Sequence, residues 1–135
     1  MASLVGTWDL VESQNWEEYL KEIGVGMIMR KAATSFKPTA IISRDGNKWT
    51  LKSVSTLKTT EVNATEGVEF DEKTPDDRVV KSLITIDGEK MTHEQRNAKN
   101  GELVTTIVRE VVDGRLVATI TAGKVVCKRI YSRTA

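Results

Sequence analysis

This chain of 135 residues holds one cysteine, one histidine and two prolines. The lone Cys127 cannot close an internal disulfide, which fits a reducing compartment. The lone His93 excludes a histidine-based metal cluster, and no cofactor is expected. No apolar run reaches the roughly eighteen residues that a membrane-spanning helix needs. Neither sign of charge dominates: 20 Lys and Arg oppose 19 Asp and Glu, a net charge of +1, so no whole-protein field for nucleic acid is expected. The start Met1-Ala2-Ser3-Leu4-Val5 carries no recognisable secretory leader, and the expected place is the cytoplasm. There the sequon Asn63-Ala64-Thr65 never meets the glycosylation machinery and is read as chance. His93, Cys127 and an acid are the ingredients of a catalytic set. No nucleophile motif accompanies them, and no enzymatic activity is expected.

The length suits one domain, 1–135, with a real core and no staples. Residues 5–13 read as a first strand around Trp8-Asp9-Leu10-Val11, and Ser13-Gln14-Asn15 offers helix caps. Trp16, Tyr19, Leu20 and Ile23 follow at helical spacing, opposite Glu17, Glu18, Lys21 and Glu22, and Gly24 ends that helix. A second short helix runs from about Met27 to Ser35, and Pro38 prevents its continuation. Two short helices cannot make a core alone, so they must cover something.

From residue 39 onward the pattern is strand and turn. Asp45-Gly46-Asn47 is a hairpin signal. Further turns fall at Glu66-Gly67, Thr74-Pro75-Asp76-Asp77, Asp87-Gly88, Asn100-Gly101, Asp113-Gly114 and Ala122-Gly123. The count is roughly ten short strands with short connections, which suggests an up-and-down barrel or clam. Aromatic residues make up only 5% of the chain, and Thr, Lys and Glu fill much of the strand text. Such strands suit a barrel around a ligand cavity better than a dry sandwich.

Near the C-terminus, Val125, Cys127, Arg129 and Tyr131 alternate along one strand and share one face. Thr105, Ile107 and Arg109 repeat the idea upstream. An arginine on a mostly apolar face is costly unless it meets an anion or an acid. Two such arginines suggest a buried receptor for a carboxylate on an apolar molecule. The alternative is two ordinary surface charges on exposed faces.

Gly6-Thr7-Trp8-Asp9-Leu10 followed by Asn15-Trp16-Glu17-Glu18-Tyr19-Leu20 resembles the signature of intracellular lipid-binding proteins. The likeness continues through Gly24-Val25-Gly26, Arg30-Lys31, Lys37-Pro38, Ser55-Thr56-Leu57-Lys58, Glu69-Phe70, Asp76-Asp77-Arg78 and Arg129-Ile130-Tyr131, and so spans nearly the whole chain. Within that family it resembles the heart, adipocyte and myelin type of fatty-acid-binding protein. The resemblance implies an all-β fold: a ten-stranded antiparallel up-and-down barrel, or β-clam, capped by a helix-turn-helix lid. It also implies a non-enzymatic, monomeric carrier of long-chain fatty acids. The family's Arg-x-Tyr motif falls on Arg129 and Tyr131, and its second cavity arginine on Arg109. Retinol carriers of the family tend to have glutamine at those places, so an acid is favoured over an alcohol. Retinoic acid, or another hydrophobic carboxylate, is the competing ligand.

The same frame implies a cavity and portal lined by Trp16, Tyr19, Leu20, Val25, Met29, Ala33, Pro38, Ser53, Ser55, Leu57, Asp76, Arg78, Gln95, Ile107 and Ala118. Asp76 and Arg78 are expected to face each other near the mouth. Leu57 stands where relatives often carry phenylalanine at the portal, Trp16 replaces the usual Phe of the first helix, and Ala64 replaces a larger apolar residue. These changes are expected to alter cavity shape. About three extra residues fall in Gln95–Leu103 and lengthen a turn. Lys21, Arg30 and Lys31 on the lid are expected to touch anionic membranes transiently; a nuclear-import surface is the second reading of the same residues. A third class of function remains open, an interaction protein whose bound lipid switches its partner surface.

Overall fold

The computed structural model describes residues 3–134. Ten strands and two helices follow in order: β1 (Gly6–Gln14), α1 (Trp16–Glu22), α2 (Met27–Thr34), β2 (Thr39–Asp45), β3 (Lys48–Val54), β4 (Thr59–Thr65), β5 (Phe70–Lys73), β6 (Val79–Asp87), β7 (Lys90–Asn97), β8 (Leu103–Val112), β9 (Arg115–Ala122) and β10 (Val125–Arg133). They form one antiparallel sheet in the order β4-β3-β2-β1-β10-β9-β8-β7-β6-β5, rolled so that the strands surround an interior. The expected all-β clam with a two-helix lid is therefore the observed architecture. β4 and β5 lie at the two ends of this order and share no ladder. Across that seam the Gly67 N–H donates to the Ile84 carbonyl at 2.9 Å.

Alternation at period two decides what points inward. On β7 the buried residues are Met91, His93 and Gln95, on β8 Thr105 and Ile107, and on β9 Leu116, Ala118, Ile120 and Ala122. Two apolar clusters result. One closes the base, where Trp8 and Ile84 are fully buried with Leu4, Ile42, Trp49, Leu51, Ala64, Met91 and Leu116. The Trp8 indole N–H donates to the Leu4 carbonyl at 3.0 Å, and the Arg133 guanidinium sits 4.1 Å from its ring centroid. The other cluster joins the lid to the β8–β10 wall through Tyr19, Leu20, Val25, Ile107, Ala118, Ile120, Ala122 and Cys127.

The lid is seated by polar contacts as well. Asn15 is the N-cap of α1, in a left-handed conformation (φ 60°); its carbonyl accepts the Tyr19 N–H at 3.0 Å, but its side chain makes no cap bond. Its amide instead donates to the Val126 carbonyl on β10 at 3.0 Å. Of the expected caps Ser13-Gln14-Asn15, Asn15 takes the N-cap position, and its side chain anchors the helix to the barrel instead of bonding a free N–H of the first turn. Gly24 ends the first helix at φ +90°, which a side chain rarely adopts. In the β9–β10 turn, a Cβ on Gly123 would meet the Glu22 carboxylate at 2.7 Å, so this glycine lets α1 close down on the barrel rim.

Candidate functional site

Between the two clusters lies a cavity of about 350 Å³. That is the lower end of the range for small-molecule pockets. Register sets its polar pole. Arg109 pairs with Ala118, and Ala118 pairs with Arg129, so both arginines lie in one row across β8, β9 and β10. The small Ala118 between them leaves room for two guanidinium groups above it. Tyr131, two residues on from Arg129, lines the same cavity.

Arg129 is buried, with 8% of its surface exposed. Its Nε donates to Ser13 Oγ at 3.2 Å, and its Cζ lies 3.8 Å from the Trp16 ring centroid. Trp16 stacks in turn on Tyr19, with ring centroids 5.6 Å apart. The indole and guanidinium faces attract each other and fix the orientation of the fork. Arg109 directs Nη1 at His93 Nδ1, 3.2 Å away, and at Met91 Sδ, 3.7 Å away. Burial pulls its pKa down, but a guanidinium remains charged. Among the described residues, neither Arg109 nor Arg129 has a carboxylate within ion-pair distance.

A second polar group sits on the β5–β7 wall. Glu72 Oε1 accepts from Ser82 Oγ at 2.7 Å, from His93 Nε2 at 2.8 Å and from Gln95 Nε2 at 3.3 Å. Arginine only donates, so His93 Nδ1 must accept from Arg109, and the ring proton lies on Nε2 facing Glu72. Burial pushes the His93 pKa down, and the nearby Arg109 charge adds to that shift, so the neutral ring persists. Burial alone would push the Glu72 carboxyl up, but the hydrogen bonds it accepts outweigh this and keep it ionised.

The mouth lies between the β3–β4 and β5–β6 loops and α2. Leu57 is 41% exposed there. Lys58 Nζ donates to the Pro75 carbonyl at 2.8 Å and to Asp77 Oδ1 at 3.2 Å, which clasps the two loops together. Asp76 and Arg78 form an ion pair at 2.6 Å, and Thr74 Oγ1 also donates to Asp76 at 2.6 Å. Partial burial works to raise the Asp76 pKa, but those donors bring it below the usual value.

Every expected cavity position lies on this wall, from Trp16 and Tyr19 on the lid through Ser53, Ser55 and Gln95 to Ile107 and Ala118. Two expectations fail in detail. Ala64 packs in the base cluster and does not line the cavity, so its small size bears on the core instead. Arg30, expected with Lys21 and Lys31 on a basic lid surface, is instead mostly covered: its Nη1 donates to the Val25 carbonyl at 2.7 Å in the seam between α1 and α2, and its Nε lies 3.9 Å from Glu17 Oε2. Lys21 and Lys31 are exposed as expected. Sequence reasoning missed Glu72 and His93 as wall residues. The signal was present in period two: Phe70 and Glu72 share a face of β5, and His93 shares one with Met91 and Gln95.

Residues 5–134 match the model of the lipocalin / cytosolic fatty-acid binding protein family. Fatty acid-binding protein homolog 5 of Caenorhabditis elegans is 47% identical over 129 residues, 96% of this chain and 95% of that protein. A fatty-acid-binding protein from brain tissue of Drosophila melanogaster superposes with a TM-score of 0.87 at 46% identity, over 96% of this chain and 99% of that one. The Schistosoma mansoni fatty acid binding protein in complex with arachidonic acid superposes with a TM-score of 0.92 at 38% identity, over 100% of this chain and 98% of that one. With its barrel, lid and enclosed cavity, the chain belongs to the lipocalin / cytosolic fatty-acid binding protein family.

Proposed function

We propose that this protein binds one long-chain fatty acid in the cavity and carries it, as a monomer, through the cytoplasm. The carboxylate is held by Arg129 and Tyr131 and supported by Arg109. One observation carries this reading: two guanidinium groups face an enclosed cavity without an acidic partner among the described residues. A buried cation without a counter-ion is costly, and a ligand carboxylate removes that cost. Arg129 supplies a planar donor fork and Tyr131 a further hydroxyl. A charge-assisted hydrogen bond is worth about 1.5–3 kcal/mol. Burying a sixteen-carbon tail supplies on the order of 10 kcal/mol before ordering costs. The tail therefore dominates affinity, and the arginines select the acid. The named relatives support the fatty acid over a retinoid.

Loading and unloading fit the lid. Ile28 is 86% exposed and Met27 62% exposed on α2, beside the mouth, with Lys31 on the same helix. Such an apolar tip with nearby lysines suits transient contact with an anionic membrane. The nuclear-import reading is weakened because Arg30 is turned into the seam between the helices.

The test is calorimetric titration of the delipidated protein with palmitate, oleate and retinoic acid, with Arg129→Gln in parallel and circular dichroism to confirm folding. One-to-one fatty-acid binding, about tenfold or more weaker in folded Arg129→Gln, is expected. Preference for retinoic acid would move the protein to retinoid carriage, and binding of none of the three would end the carrier reading.

A further inference from the structure

Glu72 is an ionised carboxylate on the cavity wall, only 7% exposed, and its two oxygens are served unequally. Oε1 accepts from Ser82, His93 and Gln95, whereas Oε2 receives only Gln95 Nε2, at 3.3 Å. Each carboxylate oxygen has about two lone-pair sites, so Oε1 is saturated and Oε2 has an acceptor position to spare. Among the described residues no lysine or arginine stands within ion-pair distance of Glu72, and its neighbour His93 is neutral. A carboxylate in this setting gains from one more donor and repels another acid. A plain fatty acid has no donor along its chain.

Resting on the fatty-acid reading above, we propose that Glu72 is a second polar subsite, which accepts a hydrogen bond from a hydroxyl on the chain of the bound acid. The ligand class is a monohydroxylated long-chain fatty acid. Glu72 is separated from Arg109 by one imidazole ring and two hydrogen bonds, of 3.2 Å and 2.8 Å. The favoured hydroxyl therefore lies on the half of the chain nearer the carboxylate. A hydroxyl elsewhere meets the apolar lining of Leu20, Val25, Ile107 and Ile120 and is left without a partner. A second carboxylate at the same place is rejected by Glu72.

The test is a positional scan: stearate and its monohydroxy isomers, substituted from near the carboxylate to near the methyl end, are titrated into delipidated wild-type protein. An isomer hydroxylated on the near half should bind within about threefold of stearate, and far-half isomers about tenfold or more weaker. In Glu72→Gln the preference of that near-half isomer over the far-half isomers should shrink about tenfold. Independently of any variant, the ¹³C resonance of the Glu72 carboxyl in wild type should shift with the favoured isomer and not with stearate. Equal weakening of every isomer, or an unmoved Glu72 resonance, overturns the subsite. Failure of stearate itself to bind overturns the fatty-acid reading on which it rests.

Discussion

The Arg109 guanidinium and the His93 imidazole are 3.2 Å apart, and their contact fixes the proton of the ring on the nitrogen that faces Glu72. One buried row of side chains thus links an acid on β5 to a cation on β8 through a neutral histidine on β7. Protonating His93 would turn Nδ1 from an acceptor into a donor and set two donors against each other.

Acid should therefore weaken the fold through this row. The folded pKa of His93 is depressed below the ordinary 6.5, so the unfolded chain binds that proton first. Stability from this source is present above pH 6.5 and is lost as pH falls towards the folded value. Glu72, also depressed, adds loss of the same sign below its ordinary 4.5. Urea melts at pH 7.5, 6.5 and 5.5 should show stability falling across the series. His93→Gln should flatten the fall, and an unchanged slope in that variant would assign it to other groups.

Lys58 holds the two mouth loops together across Pro75 and Asp77. Exposed pairs of this kind contribute about 0.2–1 kcal/mol. Lys58→Met should speed ligand exit about two- to fivefold in stopped-flow displacement, with entry accelerated similarly and equilibrium affinity nearly unchanged. Equal exit rates would show that exchange does not pass between these loops.

The exposed Ile28 on α2 contributes nothing to the core. Ile28→Ser should leave fatty-acid affinity unchanged and slow transfer to vesicles containing anionic lipid. Transfer unaffected by the substitution, and independent of acceptor concentration, would point to release into water before any membrane contact.

Cys127 has no exposed surface, and burial raises its thiol to about 11. The folded protein should react with a chromogenic disulfide reagent over hours at pH 7.5, and in seconds once unfolded in guanidinium. Rapid labelling of the native protein would reveal frequent opening between β9 and β10.

The fold was legible because most turns carry Gly, Asn or Asp and the long strands β6 to β10 alternate. The arginine row was legible too, since Ile107 and Cys127 declare the faces on which Arg109 and Arg129 must lie. Glu72 was obscured by its surroundings: Phe70-Asp71-Glu72-Lys73 is a short, charged strand with only Phe70 to mark the inner face. The partners that make its burial tolerable come from β6 and β7, and no local pattern announces them. Arg30 was misread for a related reason. Its place beside Lys31 suggested a basic face, but successive residues of the eight-residue helix point apart, Arg30 into the seam and Lys31 to the outside.

The missing ladder between β4 and β5 divides the chain into two arms, β1–β4 with both helices and β5–β10, which meet chiefly along the β1–β10 pairing and beneath the lid. A backbone break at Gly67-Val68 would sever no strand pairing. The two pieces, expressed apart, have between them every ladder needed to reassemble, and reassembly would rebuild the cavity. Because α1 and Arg129 come from different pieces, recovered fatty-acid binding would report that the two halves had found each other.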